Sequence, residues 1–144
     1  MTMAEKIKVG LAVRREGFGP VRYVVRKAGY EAVLIDVGKI IQEDNPESPV
    51  NRVALDEMLG KKVRGFIVDF TGPSLLPELR RVGGIRPTVV TVDWIDDRDK
   101  WASAEMKESG LMVVRYDLAD TSMIDVYEEA LKALEERIKP GKGK

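Results

Sequence analysis

The residues with the greatest chemical reach in this chain stand where apolar runs give way to polar ones. A run over residues 6–13 passes into Arg14-Arg15-Glu16-Gly17-Phe18-Gly19. Later runs deliver Asp69, Asp93 and Arg115 at or near their ends. Two carboxylates at neighbouring strand ends could hold Mg²⁺ through oxygen, and Asp69 could accept a phosphoryl group as a nucleophile. The alternative is that such acids cap the next helix by accepting from its free N–H groups. Arg14 and Arg15, with Gly17 and Gly19 freeing the backbone before a helix at Pro20, could hold a phosphate or carboxylate. The alternative there is two solvated arginines around a turn that needs glycine.

Composition narrows the chemistry further. The 144 residues contain no cysteine and no histidine. This excludes disulfides, thiolate nucleophiles, Cys/His zinc sites and imidazole bases. With 24 basic and 24 acidic residues the formal charge is zero, which speaks against a nucleic-acid partner. No apolar run is long enough to span a bilayer, and the first residues lack the apolar core of a signal peptide. A cytoplasmic location without membrane contact is the expectation. Gln42, Asn45 and Asn51 are the only side-chain amides, a scarcity that fits a thermophilic origin.

The elements that must position these groups are legible as alternating patterns. Residues 6–13, 31–37, 64–70, 88–92 and 111–116 form short, Val/Ile-rich, mostly continuous apolar runs. Such runs suit parallel strands covered on both faces. Between them, spacing and caps predict helices over residues 20–28, 51–59, 74–82 and 98–108, and a last one from 120 or 121 to 138. The last carries Ile124, Tyr127, Leu131, Leu134 and Ile138 as one apolar stripe, more suited to a core than to a dimer seam. Five β-α units with right-handed crossovers predict a doubly wound, five-stranded parallel sheet of order 2-1-3-4-5, in three α/β/α layers. One domain is expected over residues 1–138, followed by a flexible basic tail over 139–144. The long connection over residues 38–49 reads as a lid, a switching loop or a short extra helix.

At this point the sequence resembles the response-regulator receiver domains, mainly at the level of their flavodoxin-like fold. The similarity lies in residues 6–13 as opening strand, Ala28-Gly29-Tyr30-Glu31-Ala32-Val33 as entry to the second, and Asp69 with Pro73 four residues later. Arg115 stands where receivers end strand 5 with lysine, so Arg14, Asp93 and Arg115 are expected to surround Asp69. The resemblance implies Asp69 as phosphoacceptor and association through the last strand and helices, where Trp101, Met106 and Tyr116 would lie, with Trp94 nearby. Receivers hold Mg²⁺ with an acidic pair at the end of strand 1, and here those positions read Leu11, Ala12 and Val13, then arginines. Residues 63–93 also resemble the first lobe of sugar-binding effector domains, of which a single lobe's length is present.

Together these readings predict a non-catalytic regulatory or protein-interaction module with an incomplete phosphorylation site. It would need no cofactor and would act as a homodimer or with a protein partner. The alternative is a binding protein or enzyme for a small anion (a nucleotide, flavin or sugar phosphate) using the strand 1 to helix 1 loop.

Overall fold

The computed structural model describes residues 6–36, 56–57, 60–70, 76–93, 107–108, 110–117 and 121–138. Its strands are β1 (Lys8–Val13), β2 (Glu31–Asp36), β3 (Gly65–Asp69), β4 (Thr88–Asp93) and β5 (Met112–Tyr116). They form one sheet of order β2-β1-β3-β4-β5, and every pairing is parallel. This is the expected topology. Its cause is the one anticipated: each run is too apolar to face water, so helices must cover both sides.

Three helices have defined limits: α1 (Phe18–Lys27), α2 (Leu76–Gly83) and α3 (Met123–Ile138). α1 follows a 3-10 turn over Arg15–Gly17, so it begins two residues before the proline expected to start it. It stops at Gly29, whose φ of 94° is costly for any residue with a Cβ. Pro77 is the second residue of α2, where its missing N–H costs nothing. α3 begins after Ser122, whose Oγ accepts from the Asp125 N–H at 3.2 Å. Of the helix expected over residues 51–59, Asp56 and Glu57 are described and helical; of that over 98–108, Lys107 and Glu108 are. The connection over residues 38–49 and the tail over 139–144 lie outside the described residues.

Strand side chains alternate in direction, and this divides the core in two. Leu11, Val13, Ile67, Val89, Val114 and Tyr116 face α1 and α3. Ala12, Phe66, Val68, Val90 and Val92 face α2, where Leu79 and Val82 meet them. Two described charged side chains are buried, one on each side: Asp69 and Glu78, each 2% exposed. Glu78 receives Arg81 Nη2 at 2.8 Å, and Arg81 Nη1 reaches Asp56 at 2.9 Å. Arg81's pKa is raised, chiefly by the hydrogen bond to Glu78. That pair serves the packing of α2, since a buried carboxylate without its cation would be costly.

Candidate functional site

Ligands of open parallel sheets bind beyond the carboxyl ends of the strands. The described rim centres on Asp69, the last residue of β3. The order β1-β3-β4 puts it between the turn after β1 and the end of β4. Thr91 is its register partner on β4, and the Thr91 hydroxyl lies 2.6 Å from Asp69 Oδ1. From the other side the Arg14 backbone N–H donates to Oδ2 at 2.9 Å. From above, the Tyr127 hydroxyl on α3 lies 3.0 Å from Oδ1 and 3.1 Å from Oδ2. One buried carboxylate therefore joins β1, β3, β4 and α3.

The proton inventory of this cluster is informative. The Thr91 hydroxyl also lies 3.3 Å from the Val68 carbonyl oxygen. It has one proton to give. With Asp69 ionised, Thr91 donates to the carboxylate. With Asp69 protonated on Oδ1, that proton can go to Thr91 and the threonine can donate to Val68. Both states leave the cluster's donors satisfied, as a buried polar group requires. Burial raises the Asp69 pKa above the ordinary 3.8, and the bonds from Thr91, Arg14 and Tyr127 pull it back only in part. Tyr127 is held strongly in its protonated form, by burial first and by the neighbouring Asp69 charge second.

The folded state thus holds the Asp69 proton more tightly than the unfolded chain does. Between the unfolded value of 3.8 and the higher folded value, this group's contribution to stability falls as pH rises. It is fully present below the lower value and lost above the higher one. Referring each measurement to Asp69→Asn isolates the titration of this one group. Stability of wild type minus that of Asp69→Asn, from urea melts across pH 3 to 8 (about that range suffices), should decline with rising pH. A flat or rising difference would refute the assignment.

The other expected site residues are dispersed. Arg15 Nε pairs with Asp36 Oδ2 at 2.8 Å on the exposed edge towards β2, a contact worth about 0–1 kcal/mol. Gly17 is buried beneath Tyr127, whose hydroxyl a Cβ would strike. Gly19 opens outward, with nothing within 4 Å of a Cβ placed there. These residues do not converge on a common cradle with Arg14, whose N–H already serves Asp69. Arg115 pairs in register with Val92, and Val114 with Thr91. Because strand side chains alternate, Arg115 lies on the α2 face, and Asp69 on the α1/α3 face. The expectation that Arg115 borders Asp69 is corrected by that one-residue offset. Asp93 closes β4 two residues past Thr91, in register with Tyr116. Tyr116, 7% exposed, belongs to the core beside α3 and faces inward; Trp94, Trp101 and Met106 lie outside the described residues.

The Mg²⁺ chemistry that the receiver resemblance implies does not match these residues. Leu11, Ala12 and Val13 are fully buried hydrophobics. Asp69, the last residue of β3, has both oxygens engaged by three donors, whereas Mg²⁺ binds through carboxylate oxygens open to it and to its waters. Among the described residues no cluster of three or more acids could hold a metal ion.

Tyr127 is the site residue that sequence reading missed. Its spacing makes it one member of the apolar stripe. The available signal was its hydroxyl, which a tyrosine facing a core must satisfy.

No protein-family profile matches the chain, and no curated protein sequence does. Solved structures do match. A response regulator from Thermotoga maritima superposes with a TM-score of 0.59 at 18% identity, covering 90% of this chain and 98% of the other. HP1043, an orphan response regulator of H. pylori, gives 0.60 at 13% identity, covering 89% and 96%. The chain has the receiver fold. The flavodiiron core Flv1 from Synechocystis matches as well, with a TM-score of 0.54 over 92% of this chain but 37% of that one. At such identities the likeness concerns architecture, which several functions share. In this chain the aspartate at the end of β3 is enclosed, 2% exposed. Among the described residues no helix is long and apolar enough to cross a membrane.

Proposed function

We propose that this chain is a non-catalytic regulatory module acting through protein contacts, with an Asp69 that ties the sheet together and does not take up phosphate. The observation supporting this is the engagement of both carboxylate oxygens by Arg14 N–H, Thr91 and Tyr127 at 2.6–3.1 Å. A carboxylate attacking a phosphoryl donor needs a free lone pair and an open line of approach opposite the leaving group. Asp69 is 2% exposed, and Tyr127 lies across that approach. The missing acidic pair after β1 removes the cation that would neutralise the incoming phosphate. Signal transfer would then depend on surfaces and not on a phosphorylation cycle.

Incubation with acetyl phosphate and Mg²⁺, followed by intact mass measurement, tests this reading. The unmodified mass is expected. A clean one-phosphate adduct that disappears in Asp69→Asn would overturn it in favour of a working phosphoacceptor.

A further inference from the structure

The two helices on the Asp69 side of the sheet carry opposite charge. α1 contains Arg22, Arg26 and Lys27 and no acid. All three cations are exposed. Arg22 and Arg26 are four residues apart, a like-charge spacing that disfavours the isolated helix. α3 contains Asp125, Glu128, Glu129, Glu135 and Glu136 against Lys132 and Arg137. Of its acids, Glu135 is half-buried and accepts from the Tyr30 hydroxyl at 2.6 Å; the rest are exposed. Among the described residues, no ion pair within the chain uses Arg22, Arg26, Glu129 or Glu136.

The helices are packed neighbours. Each follows a strand of one parallel sheet and returns across the same face, so they run parallel to each other. Gly17 against Tyr127 marks their level at one end, and Tyr30 against Glu135 marks it at the other. The cations of α1 therefore stand between these two levels, alongside the stretch of α3 that carries Glu128, Glu129 and Glu135 against the single cation Lys132. Gly19, Arg22, Tyr23, Arg26 and Lys27 line a trough of about 500 Å³. Tyr23 is 52% exposed, with Lys27 Nζ 5.5 Å from its ring centre.

We infer that this face pairs with a second copy of the chain, α1 of each protomer lying on α3 of the other. A two-fold axis along the groove between the helices produces that arrangement. It exchanges the helix positions without changing their height, so each basic stripe meets an acidic one, twice per dimer. Such an interface is self-complementary, as closed two-fold symmetry demands, and Tyr23 supplies an aromatic anchor in each half. The inference stands apart from the reading of Asp69. A phosphate adduct at Asp69 would leave it intact, and a monomeric protein would leave the Asp69 reading intact.

Sedimentation velocity on the full chain tests it, with two charge-reversed proteins. Wild type should be dimeric at low salt and dissociate as salt rises towards about 1 M, because exposed charge pairs are screened. R22E/R26E should self-associate at least about 100-fold more weakly, and so should E129K/E136K, because each reversal is counted twice in the dimer. Mixed in equal amounts, the two variants should form a heterodimer, since every contact is again between opposite charges. Circular dichroism establishes that each is folded. If either is not, Arg26→Ala and Glu129→Ala should show the same weakening in smaller measure. A monomeric wild type at low salt and about 0.1 mM, a dimer indifferent to these substitutions, or folded variants that fail to pair would overturn the proposal.

Discussion

Replacement of Asp69 by alanine should lower stability at neutral pH by about 3 kcal/mol, whereas Asp69→Asn should stay within about 1 kcal/mol of wild type. The difference follows from counting donors. Alanine leaves three hydrogens that pointed at the carboxylate: those of Arg14 N–H, Thr91 and Tyr127. Thr91 can turn to the Val68 carbonyl, 3.3 Å away. The Arg14 N–H and the Tyr127 hydroxyl donate to the carboxylate, and each buried donor left without an acceptor costs about 1–3 kcal/mol. Relief of the desolvated charge offsets part of that sum. Asparagine imitates the protonated acid. Its oxygen can take the place of Oδ2 and accept from Arg14 and Tyr127. Its amide can take the place of Oδ1 and donate to Thr91, which then donates to Val68. Equilibrium urea unfolding of both variants checks this, together with a fall in Tm of about 10 °C for the alanine protein. Equal losses in the two variants would mean that Asp69 is held for its charge and not for its hydrogen bonds.

Gly17→Ala should cost about 2–3 kcal/mol, with the sign as the decisive reading. Gly17 has φ −87° and ψ −10°, a conformation any residue can adopt. On backbone grounds alone, alanine should stabilise the protein by about 0.4–1 kcal/mol through the unfolded chain. Packing opposes this. An added Cβ would strike the Tyr127 hydroxyl and lie 3.3 Å from Cζ. That ring is fully buried and its hydroxyl is bonded to Asp69, so it cannot retreat cheaply. Tyr127→Phe removes the struck atom. The double variant should therefore be less destabilised than the two single losses summed, a coupling that a double-mutant cycle on thermal or urea melts reads directly. Stabilisation by Gly17→Ala would show that Tyr127 gives way, and that the enclosure of Asp69 is looser than its distances imply.

Gly17 and Arg115 mark where reading the chain as text succeeds and where it stops. Gly17 was visible as a residue of interest, but as backbone freedom for binding an anion. Nothing in residues 14–19 announces that an aromatic ring 110 positions later would rest on it. Arg115 was visible as a cation at a strand end. Its face was not, because a single step of register moves a side chain across the sheet.

The sequence by itself determined the elements and their order. Continuous Val/Ile runs between capped helical segments admit a parallel sheet, and right-handed crossovers then leave few arrangements. That reasoning placed Asp69 at the rim beside Arg14, where it is found. Tertiary structure alone decided what the aspartate does there. Its partners Arg14, Thr91 and Tyr127 are 55, 22 and 58 residues away along the chain. Periodicity reports which face a residue turns inward, and it is a local property. Whether a hydroxyl on one inward face meets a carboxylate on another depends on register and helix height, which only the packing of the whole sheet sets.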